Sequence, residues 1–308
     1  MKFAGPIVAL TIQTLLAAPS IAQVQPTLIS PDKLSVPVSV SDVEARAKTK
    51  PVHAKKIILV GDSTMQVESG WGGAFCAEHV TLYVSCVNLA RGGRSTLSYR
   101  AEGSWKIALN EATTPGYDKV YIFIQFGHND QPGKPGNSTD LATEFPDNLK
   151  HFVTEARAVG AIPVLITPLT RRSFVNGSLQ DTLQPWADSM KAVAQANDVP
   201  LVDLHAISME AVQRMGPVAA LAFAQKSAPS EVIEAAKAGT TIMPVKASAM
   251  PGPHTEPQST EVFVGPSGHA STVFDYTHLG KLGAEYFSKE VTFELAKAVP
   301  DLRSDLVP

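Results

Sequence analysis

Ser63 follows a short apolar run, Lys56-Ile57-Ile58-Leu59-Val60, and a Gly61-Asp62 pair. A mostly β-branched or aliphatic run that ends in glycine predicts a buried strand stopping at a turn. Met65 to His79 is long enough for a helix, so Ser63 is expected between a strand's carboxyl end and a helix's amino end. Sites form along that edge of an open α/β sheet, and a helix start favours a developing negative charge. Gly-Asp-Ser alone is also ordinary helix-cap chemistry. Far along the chain, Phe274-Asp275-Tyr276-Thr277-His278-Leu279-Gly280 offers a carboxylate and an imidazole three positions apart across a turn. The carboxylate reaches Nδ1 and sets the tautomer. The other nitrogen is then free to take a hydroxyl proton, which is the orienter, base and nucleophile logic of acyl transfer. A helix predicted from Lys281 to Ala298 would disfavour imidazolium at His278. Taken without Ser63, the same residues read equally well as a helix cap beside a surface histidine.

Acyl transfer also needs donors for an oxyanion, and two further strand ends can supply them. Tyr83 to Leu89 reads as a second strand running into Ala90-Arg91-Gly92-Gly93-Arg94-Ser95, where the Gly93 N–H could approach an oxyanion closely. Val120 to Gln125 reads as a third strand ending in Phe126-Gly127-His128-Asn129-Asp130. The Asn129 amide and the Ser63 N–H would complete the set. Separately, Gly-Gly and Asn-Asp turns are common loop chemistry. Together, each after a buried strand, they should gather along one sheet edge. Asp62 suits hydrogen bonds to backbone amides that shape the turn, and stays outside the catalytic set.

In that order, Gly61-Asp62-Ser63, Gly93, Asn129 and Asp275-x-x-His278 resemble the SGNH (GDSL-type) hydrolases. The resemblance is closest to the rhamnogalacturonan acetylesterase-like branch, carbohydrate esterase family 12. That branch is indicated by Gly70-Trp71-Gly72, Asn88-x-Ala90-x-x-Gly93-Arg94-Ser95 and Gln125-Phe126-Gly127-His128-Asn129-Asp130. Thr167-Pro168-Leu169-Thr170-Arg171-Arg172-Ser173-Phe174 and Val199 to His205 agree, so the resemblance runs from about Lys55 to Leu295. It implies a flavodoxin-like three-layer α/β/α sandwich with a five-stranded parallel sheet in the order 2-1-3-4-5. It also implies serine-ester chemistry without metal or cofactor, acting on acetylated pectic or related polysaccharide. Carried over by residue, Ser63 is the nucleophile, His278 the base and Asp275 its orienter. The oxyanion hole comprises the N–H groups of Ser63 and Gly93 and the Asn129 side chain.

The rest of the chain restricts the function classes. Its 308 residues fit one large domain after an N-terminal segment is set aside, and a net charge of −3 gives no reason to expect nucleic acid or an anionic membrane surface. Lys2, an apolar stretch from about Ile7 to Ala18 and Ser20-Ile21-Ala22 read as a signal peptide spanning 1–22 and too short to cross a bilayer, which predicts a secreted or periplasmic protein. Residues 23–50, rich in Pro, Ser and Val, read as an extended lead-in. In an oxidising compartment, Cys76 and Cys86 are either a short disulfide loop or two buried thiols. The eight histidines are scattered without zinc spacing, and no glycine-rich phosphate loop follows a strand.

Strands are expected at Ile57–Val60, Val84–Leu89, Val120–Gln125, Ile162–Ile166 and Pro200–Leu204, with helices at Asp147 to Val159 and Gln184 to Gln195. Such alternation predicts a parallel sheet covered on both faces. The domain covers 51–308, with an insertion at about 206–272. Within it, Pro229 to Lys237 reads as a helix, and a Pro-, Gly-, Ser- and Thr-rich passage from Met243 to Thr272 leads into Asp275, where it would line or cover the site. Trp71 could stack on a sugar ring or pack in the interior. Arg94, Arg171 and Arg172 follow strand ends; each could pair with a uronate carboxylate or serve a structural ion pair. His128 and His205 read as hydrogen-bonding residues at the core edge. Three rivals on the same scaffold are an esterase for another glycan such as xylan, a lipid or thioester hydrolase, and a carbohydrate-binding protein that has lost catalysis.

Overall fold

The computed structural model describes residues 52–243 and 274–308. The signal peptide expected at 1–22, the lead-in at 23–50 and the passage from 244 to 272 lie outside the described residues. In chain order the elements are β1 (Lys55–Gly61), α1 (Gly72–Glu78), β2 (Val84–Asn88), α2 (Thr96–Ala101), α3 (Ser104–Ala112), β3 (Lys119–Gln125), α4 (Glu144–Ala158) and β4 (Ile162–Ile166). They continue with the hairpin β5 (Phe174–Val175) and β6 (Ser178–Leu179), then α5 (Gln184–Ala196), β7 (Leu201–Val202), α6 (Leu204–Ala219), α7 (Ser230–Lys237) and α8 (Lys281–Ala298).

Five strands form one parallel sheet in the order β2-β1-β3-β4-β7, the arrangement and order expected from the resemblance. A parallel sheet is buried on both faces, so its strands need apolar residues at successive positions. β1 meets that need and sends alternate side chains to opposite layers. Ile57 and Leu59 join Phe75 of α1, Val212 of α6 and Phe287, Val291 and Leu295 of α8. Ile58 and Val60 join Tyr99, Trp105, Phe145, Phe152, Trp186 and Met190 from α2 to α5. Two cores on one sheet make the α/β/α sandwich. Strands β1, β2 and β3 all end on the same edge, with Gly61, Asn88 and Gln125 as their last residues.

Two expected elements differ. The helix anticipated from Met65 to His79 exists only as Gly72–Glu78, and residues 62–71 form turns. Three glycines at 70, 72 and 73 weaken helix propensity there. The Trp71 N–H is spent on the Thr64 carbonyl at 3.1 Å instead of a helical ladder. The fifth strand is two residues long rather than five, because Asp203 caps α6 by accepting from the Ala206 N–H and draws Leu204 into that helix. The described part of the connection between His205 and Asp275 is more helical than a single Pro229–Lys237 helix: α6 and a 3-10 turn (Ala220–Phe223) precede α7. Val212, Ala220 and Phe223 belong to the core layer that holds α8. Cys76 of α1 and Cys86 of β2 are joined in a disulfide with a Cα–Cα distance of 5.4 Å.

Candidate active site

Ser63 and His278 are 215 residues apart, yet Ser63 Oγ lies 2.8 Å from His278 Nε2. His278 Nδ1 lies 2.6 Å from Asp275 Oδ2. An ionised carboxylate only accepts, so Nδ1 carries the hydrogen and Nε2 is left to accept from the serine hydroxyl. The other Asp275 oxygen accepts from the N–H groups of Thr277 and His278, both at 2.7 Å, so the carboxylate cannot swing away from the ring. Burial pushes the Asp275 carboxyl up, but the His278 ring and these two amides outweigh it and leave it below the ordinary carboxylate range. Such an array can turn an alcohol into a nucleophile at neutral pH.

The turn that presents Ser63 is built mainly by its neighbours. Asp62 Oδ1 accepts from the Thr64 N–H and hydroxyl, both at 2.8 Å, as expected for a residue shaping the turn. Gln125, at the end of β3, donates to the Thr64 hydroxyl at 2.6 Å and accepts from the Trp71 indole at 2.8 Å. Trp71 is 0% exposed, which corrects its reading as a possible sugar platform. The whole Gly70-Trp71-Gly72 motif belongs to this scaffold. A Cβ at Gly70 would overlap the Thr64 carbonyl, and one at Gly72 the Met65 carbonyl. Ser69, which sequence reasoning did not single out, ties the two halves of the site. Its hydroxyl donates to the Ser63 carbonyl at 2.7 Å, and its own carbonyl accepts from the Leu279 N–H at 2.8 Å.

Arg172 is also a correction. It is 2% exposed and faces protein rather than solvent, so it does not bind substrate. Its guanidinium donates to the carbonyls of Asp275, Thr277 and His278 at 3.1, 3.3 and 2.8 Å, and its backbone N–H to the Tyr276 carbonyl at 2.8 Å. Every carbonyl from Asp275 to His278 therefore accepts from one residue 103–106 positions away. Arg94 and Arg171 retain solvent exposure but already have partners. Arg94 pairs with Glu102 at 2.9 Å and donates to the Gly92 carbonyl, and Arg171 donates to the Thr182 hydroxyl at 2.8 Å. His205 meets the Pro168 carbonyl and Asp181, in keeping with a core-edge role.

The expected oxyanion donors stand on neighbouring strand ends. Gly93 has φ +78°, in the left-handed region that glycine adopts without penalty. The Asn129 amide donates to the Arg94 carbonyl at 3.0 Å, and its oxygen accepts from Lys134 Nζ at 3.0 Å. Beneath them lies a buried polar group. Asp62 Oδ2 is 3.5 Å from His128 Nδ1, and Asp130 accepts from the Thr96 N–H and hydroxyl and from the Thr139 hydroxyl. Burial pulls the His128 pKa down against the pull of Asp62, while burial pushes the Asp130 carboxyl up to about 7. Among the described residues no cluster of His, Cys, Asp or Glu fits a metal ion.

The GDSL-like lipase/acylhydrolase family matches residues 59–218, more than half of the chain. The probable rhamnogalacturonan acetylesterase YesY of Bacillus subtilis is 34% identical over 158 residues, covering 49% of this chain and 70% of that protein. The rhamnogalacturonan acetylesterase RhgT of the same organism is 38% identical over 176 residues, covering 54% of this chain and 71% of its own. In three dimensions, the crystal structure of the Bacillus subtilis protein YxiM superposes with a TM-score of 0.56 at 21% identity, over 80% of this chain. This chain spans 58% of that structure's length, and the likeness concerns the fold. Sequence kinship over more than half of the chain, on top of the sheet and strand order, decides the matter: the chain belongs to the GDSL-like lipase/acylhydrolase family, in its rhamnogalacturonan acetylesterase-like branch, and is a carboxylic ester hydrolase.

Proposed function

We propose that this chain is a secreted or periplasmic serine esterase that removes acetyl groups from plant cell-wall polysaccharide, with rhamnogalacturonan in pectin as its substrate. The observation that carries this reading is the unbroken hydrogen-bond path from Asp275 through His278 to the Ser63 hydroxyl. The substrate is supported by the names of the two Bacillus relatives. Export is supported by the Cys76–Cys86 disulfide, since such bonds persist in oxidising compartments.

In this reading Ser63 Oγ attacks the acetyl carbonyl carbon while its proton passes to His278 Nε2. Asp275 stabilises the imidazolium that forms. The carbonyl oxygen takes up the electron pair and is held by the N–H groups of Ser63 and Gly93 and by the Asn129 amide. Collapse of this intermediate breaks the ester bond, His278 returns the proton to the departing sugar oxygen, and the acetyl group stays on Ser63 Oγ. Water, activated by the same imidazole, then releases acetate and restores Ser63.

The test is acetate release from acetylated pectins and acetylated xylans by the wild type and by Ser63→Ala. Pectin is expected to be preferred, and Ser63→Ala to lose at least about a thousandfold in kcat while keeping its Tm. Preference for xylan would move the substrate to another glycan, and preference for long acyl chains would make the protein a lipid or thioester hydrolase. Full acetate release by Ser63→Ala would end the serine-esterase reading.

A further inference from the structure

The Asn129 side chain is held in one orientation by two neighbours of opposite hydrogen-bonding character. An ammonium has hydrogens only to donate, so the Asn129 atom 3.0 Å from Lys134 Nζ is the amide oxygen. A backbone carbonyl only accepts, so the atom 3.0 Å from the Arg94 carbonyl is the amide nitrogen. With one amide hydrogen committed to Arg94, the second remains to be offered elsewhere. Without the ammonium, nothing in the torsion itself prevents the amide from turning over, because a terminal sp³–sp² torsion is broad and roughly two-fold. A turned amide would present its oxygen, and an oxygen lone pair repels an oxyanion.

Lys134 is placed for this task, and its charge is also attracted by the buried Asp62 and Asp130 carboxyl groups. Its side chain is only partly exposed, and among the described residues its Nζ forms no ion pair. Its second hydrogen bond goes to the His128 carbonyl at 2.7 Å, on the residue just before Asn129, so the ammonium spans both ends of that dipeptide. Holding a lysine partly out of water costs free energy, and its charge beside the amide oxygen draws electron density from the amide nitrogen. The hydrogens on that nitrogen become better donors.

From this geometry we infer that Lys134 is a positioning residue for the reaction: it fixes and polarises the Asn129 amide so that its free N–H faces the developing oxyanion. The inference rests on the serine-esterase reading and on the Asn129 role within it. Lys134 itself touches no reacting atom.

The experiment is a double-mutant cycle on an aryl acetate with Lys134→Met, Asn129→Ala and the pair, each checked by Tm. Asn129→Ala is expected to lose about a hundredfold to a thousandfold in kcat. Lys134→Met is expected to lose on the order of tenfold to a hundredfold in kcat, with KM changed by less than about twofold. The pair should match Asn129→Ala within about threefold, because Lys134 has nothing left to orient. Losses that multiply, or an unchanged kcat in Lys134→Met, overturn the inference and leave the esterase reading standing. Ser63→Ala, run alongside, addresses that reading alone. If Lys134→Met does not fold, Lys134→Cys serves instead, since both native cysteines are engaged in the disulfide. Aminoethylation of the introduced thiol should restore kcat and carbamidomethylation should not; equal rates after the two treatments overturn the proposal.

Discussion

Asp130 shows how a single buried group near the site sets a pH dependence. Its carboxyl is pushed up to about 7 by burial, and the hydrogen bonds from Thr96 and Thr139 offset this only in part. An unfolded chain ionises the same group near its ordinary value of about 4. Between those values the folded protein holds a proton that the unfolded chain has released. The destabilisation therefore grows as pH rises through that window and is complete above it. His128 works in the opposite direction. Burial pulls its pKa below the ordinary 6.5, so the unfolded chain gains a proton first and stability falls as pH drops through that value. The wild-type profile mixes the two, and a difference between proteins separates them. Asp130→Asn keeps the accepting oxygen and replaces Oδ2, which has no hydrogen-bond partner among the described residues. Its Tm relative to wild type is expected to rise from about pH 5 and to level off above about pH 7. A difference that stays flat across that range would remove Asp130 as the source.

Among the elements, the short segment that carries Asp275 and His278 depends most on a distant partner. Among the described residues its strand-like pairing is a single antiparallel bridge between Leu279 and Ala224, and it precedes α8, whose N-cap residue Gly280 offers no side chain. Arg172 takes up four successive carbonyls of this segment, and Leu279 is tied to Ser69 on the nucleophile side. A buried carbonyl left without a donor costs about 1–3 kcal/mol. Arg172→Met should therefore lower the Tm. It should also raise amide hydrogen exchange specifically from Asp275 to Leu279, with kcat falling at temperatures where the protein remains folded. Arg172→Lys, with three donors on one nitrogen, should recover part of both effects. Exchange unchanged in that segment would show that the Arg172 guanidinium is not what holds it.

At the scale of the molecule, stability is shared between two apolar layers and one covalent link. The layers meet on a sheet whose inner strand β1 is buried along nearly its whole length. The disulfide closes a loop of 10 residues between α1 and β2, on the core face that also holds Phe75. In the chain-entropy model, a loop of that size is worth about 2–3 kcal/mol. Folded domains have a margin of only about 5–15 kcal/mol, so that is a substantial share. Replacing both cysteines with serine is expected to lower the global Tm by several degrees. Near room temperature kcat/KM should be close to wild type, because neither sulfur lies in the triad or among the proposed oxyanion donors. A Tm that does not move would place the stability in packing alone.

Much of this protein is legible one segment at a time. Lys56–Val60, Val120–Gln125 and Ile162–Ile166 are apolar enough to be strands of a doubly covered sheet wherever they are found. Ser63, Gly93 and Asn129 each follow such a strand closely enough to share its edge, and Asp275 reaches His278 within one turn. Those inferences need only local geometry and the periodicity of strands and helices. The sequence does not say which of two adjacent arginines turns inward, and Arg172 rather than Arg171 does so because three carbonyls more than a hundred residues away need side-chain donors. Trp71 reads as a possible sugar platform until the Gln125 side chain is found against its indole. The helix expected from Met65 yields to a turn because Trp71 spends its N–H on Thr64, and Lys134 gains its meaning from the Asn129 oxygen it faces. Local propensity and spacing determined the strands and the reactive residue types. The direction each polar side chain takes was decided by which buried donor or acceptor would otherwise go unmatched, and only the assembled tertiary structure contains that information.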